Sequence, residues 1–424
     1  MASWRAWFLN AILRWGMKRH GDKAIDLERS RRMMHRPPRR VLHVPEDIRI
    51  TEVVSEQGLR FDKVERIGAG AANGAVILYY LHGGGYFFGS PKTHRPIIIS
   101  LAKALDGLAY GLDYRLAPEY PFPAAVQDAA EAYRWLVAMH PNSRIVIAGD
   151  SAGGGLAIAT AVGARTAGLP PPAALIAFSP WCDLACTGRS LVANARSCAM
   201  FRPSGIRRAA ELYLAGSDAR DPRASPVYAD LAGLPPMLLF VSNQEILLDD
   251  AVRLAERART AGVEVELVRR DSLPHVWPVF VYLLPEAREA VVQISTFVGR
   301  LGLTAPHPRQ TGATPRTLNW RYCTAIGRTP TYLARGRMSA PVAYCSSAWA
   351  IHPTERPIRN MPRPEPGGSL SAMETSPRAK STFGWRPIRS ETRSPISISL
   401  TLVRAYLERL IASMISRPRG SPSG

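Results

Sequence analysis

Cysteine is scarce here and odd in number. The five thiols, Cys182, Cys186, Cys198, Cys323 and Cys345, are spread over 424 residues. That excludes a small disulfide-stapled domain and makes a reducing cytoplasm the expected compartment. The cysteine and histidine spacings offer no convincing zinc site, so no metal is expected. No uninterrupted apolar run reaches about eighteen residues, so an integral membrane protein is not expected. Arg5 and Arg14 interrupt any signal-peptide core, and no small-residue cleavage site follows. Internal repeats are absent. Acidic residues are short in one region above all. Residues 301–424 hold 18 Lys and Arg against 5 Asp and Glu, with no aspartate and one lysine.

That excess supplies most of the formal net charge of +20, so the charge does not by itself mark the whole chain as a nucleic-acid binder. The same stretch holds 15 of the 36 prolines and little lasting helix or strand period, except for one amphipathic helix candidate over 396–415. A basic binding arm, a small extra domain and translation past a natural stop are its three readings. A poorly ordered or non-native extension over 306–424 is the expected one. The chain divides into a helical cap segment over 1–45, a catalytic domain over 46–305 and this tail.

What the middle of the chain has is glycine in particular places. RIVIA at 144–148 reads as a strand and 152–168 as a helix, with Gly-Asp-Ser-Ala-Gly at 149–153 between them. A Gly-x-Ser-x-Gly in that context is a nucleophile elbow. The sharp turn strains the serine backbone and lifts Ser151 Oγ clear of the sheet, at a helix N-terminus that favours negative charge. Upstream, the apolar run VILYYL at 76–81 reads as a buried strand and is followed by His82, Gly83, Gly84 and Gly85. Successive glycines bring backbone N–H groups close to a ligand, as an oxyanion hole requires. No Lys-Ser or Lys-Thr follows them, which argues against a phosphate loop.

The elbow's chain order is Ser, then acid, then His. His275 is the only histidine between Ser151 and Leu301, and it is the expected base. The acid follows the strand MLLFVS at 237–242, where Glu245 and Asp249 are the candidates. Asp249 and Asp250 also suit the first turn of the next helix, where carboxylates complement the dipole. The last helix of the domain is expected over 286–301.

LHGGGYFFGS at 81–90, DYRLAPEYPFPAA at 113–125, GDSAGGGLA at 149–157 and PHVWPVF at 274–280 together resemble the hormone-sensitive-lipase-like branch of the α/β-hydrolases, the bacterial carboxylesterase and lipase group. The resemblance spans roughly residues 1–300. It implies an α/β-hydrolase fold, with a mostly parallel sheet flanked by helices. It implies oxyanion donors at Gly84, Gly85 and Ala152. It also implies an acid in the first position of a pattern like Asp-Pro-Leu-x-Asp, which lays Glu245 on that position, in place of the commoner aspartate, and Asp249 on the last. The implied function is a serine carboxylesterase for short- to medium-chain acyl esters, with no cofactor and a small ester as partner. A lactonase, deacetylase or amidase would use the same residues. A non-catalytic small-molecule binder of hydrolase ancestry is the rival of another class. A homodimer is left open, and nucleic acid is not expected as a partner.

The aromatics Tyr86, Phe87 and Phe88 are candidates for an acyl pocket or for the core. Arg115, Glu119 and Asp183 are expected to be structural. At the N-terminus, Trp4, Phe8, Ile12 and Trp15, with Trp7 and Leu13 beside them, form a helical stripe. The resemblance implies a lid over the acyl pocket, and an interfacial membrane helix is the alternative. The basic stretch 29–40 is expected to be a solvated connection.

Overall fold

The computed structural model describes residues 2–18, 31, 44–68 and 76–303. The Arg- and Pro-rich tail, its helix candidate and most of the basic stretch 29–40 lie outside the described residues.

After a first helix, α1 (Trp4–Gly16), two strands, β1 (Ile48–Val54) and β2 (Arg60–Arg66), form an antiparallel edge. Then strands and helices alternate: β3 (Val76–Leu81), α2 (Pro91–Ala104), β4 (Leu108–Leu112), α3 (Ala124–Met139), β5 (Arg144–Asp150), α4 (Ala152–Thr166) and β6 (Ala174–Phe178). The connection from β6 to the next strand contains a short α5 (Ser190–Ala193) and α6 (Pro203–Leu214). The chain then runs through β7 (Met237–Ser242), α7 (Leu248–Thr260), β8 (Val265–Arg270) and α8 (Pro285–Arg300). The eight strands lie in the order β1-β2-β4-β3-β5-β6-β7-β8, and all pairings from β4 to β8 are parallel.

Parallel strands joined by helices are covered on both faces, which is why β3 reads as unbroken apolar sequence rather than as an alternation. Ile77, Tyr79 and Leu81 enter one core with α3, α4 and α7, while Val76, Leu78 and Tyr80 enter the other with α2 and α8. The period of two is still present, with both faces buried. The helix forecast over 286–301 and that over 152–168 correspond to α8 and α4 within two residues at each end.

The first helix is turned differently from what its stripe suggests. Its inward face is Ala6 and Leu9, with Leu13 packed beside them, against the core that includes Leu273, Leu284 and Ala287. Small residues there let the helix approach closely. Ser3 caps it and also bonds Glu286 through its N–H at 2.5 Å and its hydroxyl at 3.1 Å. Trp4, Trp7 and Trp15 face outward.

Candidate active site

The elbow stands where β5 meets α4. Ser151 has φ 52° and ψ −120°, a conformation that costs a residue with a side chain on the order of 1–3 kcal/mol. The surroundings over-determine it. Its N–H donates to Phe178 O at 2.8 Å, and its carbonyl accepts from Trp181 N at 2.9 Å and Gly155 N at 3.1 Å. Close approach forbids side chains on either flank. A Cβ at Gly149 would strike Gly153 O, and one at Gly153 would strike the carbonyl oxygens of Leu81 and His82.

Three groups expected from sequence converge. His275 Nε2 lies 2.9 Å from Ser151 Oγ, and His275 Nδ1 lies 2.8 Å from Glu245 Oε2. A carboxylate only accepts, so Nδ1 carries the proton and Nε2 is left as the acceptor for the serine hydroxyl. Glu245 and His275 are buried, while Ser151 retains 9% exposure. Glu245 Oε1 also accepts from Ser242 N at 3.3 Å. Asp249 is elsewhere: its Oδ2 accepts from Ser190 N at 3.0 Å, and its own N–H takes Ser190 Oγ at 2.9 Å, which fastens α5 to α7.

On the other side, Gly83 N donates to Asp150 Oδ1 at 2.9 Å. That leaves Gly84, Gly85 and Ala152, whose N–H groups meet no acceptor among the described residues. Gly84 has φ 120° and a Cβ there would strike Phe88 O, so the loop can be built only with glycine at that position.

Several supports were not legible. Asp150 Oδ1 also accepts from Tyr80 Oη at 2.8 Å and lies 3.4 Å from His94 Nε2, all three residues buried. Burial alone would push the Asp150 carboxyl up, yet the neighbouring His94 charge and the bonds from His94, Tyr80 and Gly83 hold it below its ordinary range. Burial works against a charge on His94 as well, and Asp150 raises it above the ordinary histidine value. Both shifts favour the charged forms of the two groups, which face each other directly behind the glycine loop. Tyr114 stacks on His82 at 4.2 Å and donates to its carbonyl at 2.7 Å. On the histidine side, Val276 is held at φ 52° by a bond from its N–H to Ser179 Oγ at 3.0 Å, an unusual conformation for a β-branched residue. Asn194 Nδ2 donates to the carbonyls of Asn243 and Glu245 at 3.0 and 2.9 Å. The only advance signal was that Asp150 lies inside the elbow motif.

Arg115 grips Asp128 with its guanidinium, and Asp183 pairs with Arg253, so both brace loops. Glu119 pairs with Arg31, whose Nε also donates to Phe87 O at 2.8 Å. One residue of the stretch expected to be solvated thus reaches the segment after the glycine loop. Tyr86 is buried and stacks on Tyr213 of α6 at 3.8 Å. Among the described residues no cluster of His, Cys, Asp and Glu is placed to hold a metal, and no helix is long and apolar enough to cross a membrane.

A family model described as the α/β hydrolase fold matches residues 78–279. An acetyl-hydrolase of Streptomyces hygroscopicus is 45% identical over 222 residues, covering 52% of this chain and 74% of that protein. An esterase of Acinetobacter venetianus is 34% identical over 234 residues, covering 55% and 77%. Among solved structures, an esterase from the bacterial hormone-sensitive lipase family aligns with a TM-score of 0.64 at 38% identity, over 71% of this chain and 99% of that one. The chain belongs to the hormone-sensitive-lipase-like branch of the α/β-hydrolases. Within that branch it is a carboxylic ester hydrolase.

Proposed function

We propose that the chain is a serine carboxylesterase for short- to medium-chain acyl esters, working through Ser151, His275 and Glu245. The observation that carries this is the continuous chain of contacts from Ser151 Oγ through the imidazole to a buried carboxylate, at 2.9 and 2.8 Å. The acetyl-hydrolase relative supports the short end of the substrate range. In this reading the catalytic unit is residues 46–305, and α1 forms a lid segment beside it.

Ser151 Oγ attacks the ester carbonyl while His275 Nε2 takes its proton. Glu245 stabilises the resulting imidazolium and fixes its tautomer. The carbonyl oxygen becomes an oxyanion and receives the N–H groups of Gly84, Gly85 and Ala152. Gly83 is excluded from that role, because its N–H is engaged by Asp150. Collapse of the tetrahedral intermediate breaks the C–O bond, and His275 gives the proton to the leaving alcohol. Water then repeats the sequence on the acyl-serine, and the acid product leaves with Ser151 regenerated.

The test is hydrolysis of p-nitrophenyl esters from acetate to palmitate by wild type and by Ser151→Ala. Wild type should turn over the short and medium chains, with Ser151→Ala near background. Equal slowness of the two proteins on every chain length would sink the reading. For the acid, Glu245→Gln should lower kcat by about 10³–10⁴-fold, and Asp249→Asn by far less. The reverse ranking would move the acid to Asp249.

A further inference from the structure

Exposed tryptophan is expensive for a protein surrounded only by water, and α1 carries three. Trp7 is 71% exposed, Trp4 62% and Trp15 42%. Positions 4, 7, 11 and 15 follow one stripe of a helix, and the other member, Ala11, is also exposed. Phe8 and Ile12 flank this stripe half-buried, so the outward face is apolar along its length. The opposite face is already occupied, since Ala6 and Leu9 are packed into the core. The outward face therefore has no structural task within the described fold.

Its charge is of one sign. The helix contains no Asp or Glu, and its ionisable residues are Arg5 and Arg14, with Lys18 just beyond its end. Arg14 and Lys18 spend their donors on backbone carbonyls of residues 195–198, and no carboxylate among the described residues pairs with either. Arg202 joins them by donating to Lys18 O at 2.9 Å. Among the described residues the acid bonded to the helix is Glu286, which is committed to Ser3. Tryptophans along a helix flanked by cations match the boundary between headgroups and acyl chains in a bilayer carrying negative lipids.

The placement also has a consequence. Asn10 Nδ2 donates to Ser272 O at 2.9 Å, three residues before His275. The segment clamped by Arg14 and Lys18 leads into Phe201, whose ring lies 5.1 Å from that of His275. A surface seated on α1 would lie beside the two loops that border the histidine.

We propose that the outward face of α1 is a docking surface for an anionic phospholipid bilayer, in which Trp4, Trp7 and Trp15 insert at the headgroup level and hold the active-site side of the protein against the lipid. The docking itself does not depend on the proposed esterase activity, so its test has its own readout.

Full-length protein is floated with vesicles of phosphatidylcholine alone and of phosphatidylcholine mixed with phosphatidylglycerol. Wild type should float with the mixed vesicles and much less with the neutral ones. The triple variant Trp4→Ser, Trp7→Ser, Trp15→Ser should bind the mixed vesicles at least ~10-fold more weakly, with a far-UV circular dichroism spectrum and denaturant midpoint like those of wild type. Trp7→Ser alone should show a smaller loss in the same direction, which guards against misfolding of the triple variant. Equal flotation of wild type and triple variant would overturn the proposal and assign the binding to basic charge elsewhere. It would also be overturned if wild type sedimented as a dimer without lipid and the triple variant as a monomer, because a second copy would then be the occupant.

Discussion

Around Ser151 the chain is held by backbone packed on backbone, whereas around Glu245 and His275 it is held by side chains reaching across to neighbouring loops. On the first side, added Cβ atoms at Gly149, Gly153 and Gly155 would each strike a carbonyl oxygen, and the strands behind are central and buried, β3 throughout and β5 from Ile145 onward. On the second side, Ser242 Oγ donates to Leu273 O at 2.7 Å, Ser197 Oγ to Gln244 O at 3.0 Å, and Asn194 to two carbonyls of the acid loop. The two constructions fail differently. Backbone contact leaves no room for adjustment, while each side-chain bond contributes on the order of 1 kcal/mol and can be lost singly.

The largest effect should come from Gly153→Ala. The methyl would meet the carbonyl oxygens of Leu81 and His82, and β3 cannot retreat because it is paired with β4 on one side and β5 on the other. A loss of at least ~3 kcal/mol in denaturant unfolding is expected, with kcat down by roughly 100-fold or more from displacement of the serine. Gly163→Ala in the same helix meets nothing within 4 Å and is the control. It should be neutral or stabilising by up to ~1 kcal/mol. Two variants of equal stability would break the contrast between the sides.

The same contrast explains what could be read in advance. A turn made by close backbone approach needs glycine at set positions, so Gly83 to Gly85 and Gly149 to Gly153 carry their geometry in local sequence. The buried parallel strands were legible for a related reason: burial on both faces leaves unbroken apolar runs such as VILYYL. His275 stood out as a candidate because no other histidine lies between Ser151 and Leu301. Glu245 as the candidate acid rested mainly on the family pattern, with only the helix-start position of Asp249 as a local distinction. Their supports come from elsewhere in the chain. Asn194 lies 51 residues before Glu245, and His94 meets an aspartate 56 positions later. Such pairs leave no periodicity or spacing to read. The orientation of α1 was hidden too, because tryptophans at helical spacing suggest an inward face, whereas the small Ala6 is what fits against the core.

The buried pair behind the glycine loop sharpens the Ser151 side further. In His94→Gln, Asp150 keeps its bonds from Tyr80 and Gly83 but loses the one facing group that can carry a positive charge, and unfolding should become easier by up to about 3 kcal/mol. The pH dependence follows from the directions of the shifts. His94 is raised above its ordinary 6.5, so its contribution is complete below that value and is lost as pH climbs through the raised one. Asp150 is lowered from 3.8, so its contribution is complete above that value and is lost as pH falls through the lowered one. The stability gap between wild type and His94→Gln should therefore be widest in mildly acid solution and narrow as pH rises past neutrality. Denaturant melts across that range would show it, and a gap independent of pH would mean that the two groups are not an ion pair.

The smallest effect belongs to the acid–base side. Asn194→Ala removes both bonds to the Asn243 and Glu245 carbonyls, but Asn194 is only half-buried and water can replace the amide there. Stability should fall by about 1 kcal/mol. The acid loop would be looser, so the imidazole would be less firmly oriented when the oxyanion forms, and kcat should drop several-fold with KM little changed. That split distinguishes positioning from general destabilisation. If stability fell and kcat did not, Asn194 would merely hold a loop, and the orientation of the imidazole would rest on the Glu245–His275 contact and the remaining bonds of Ser242, Ser197 and Ser179.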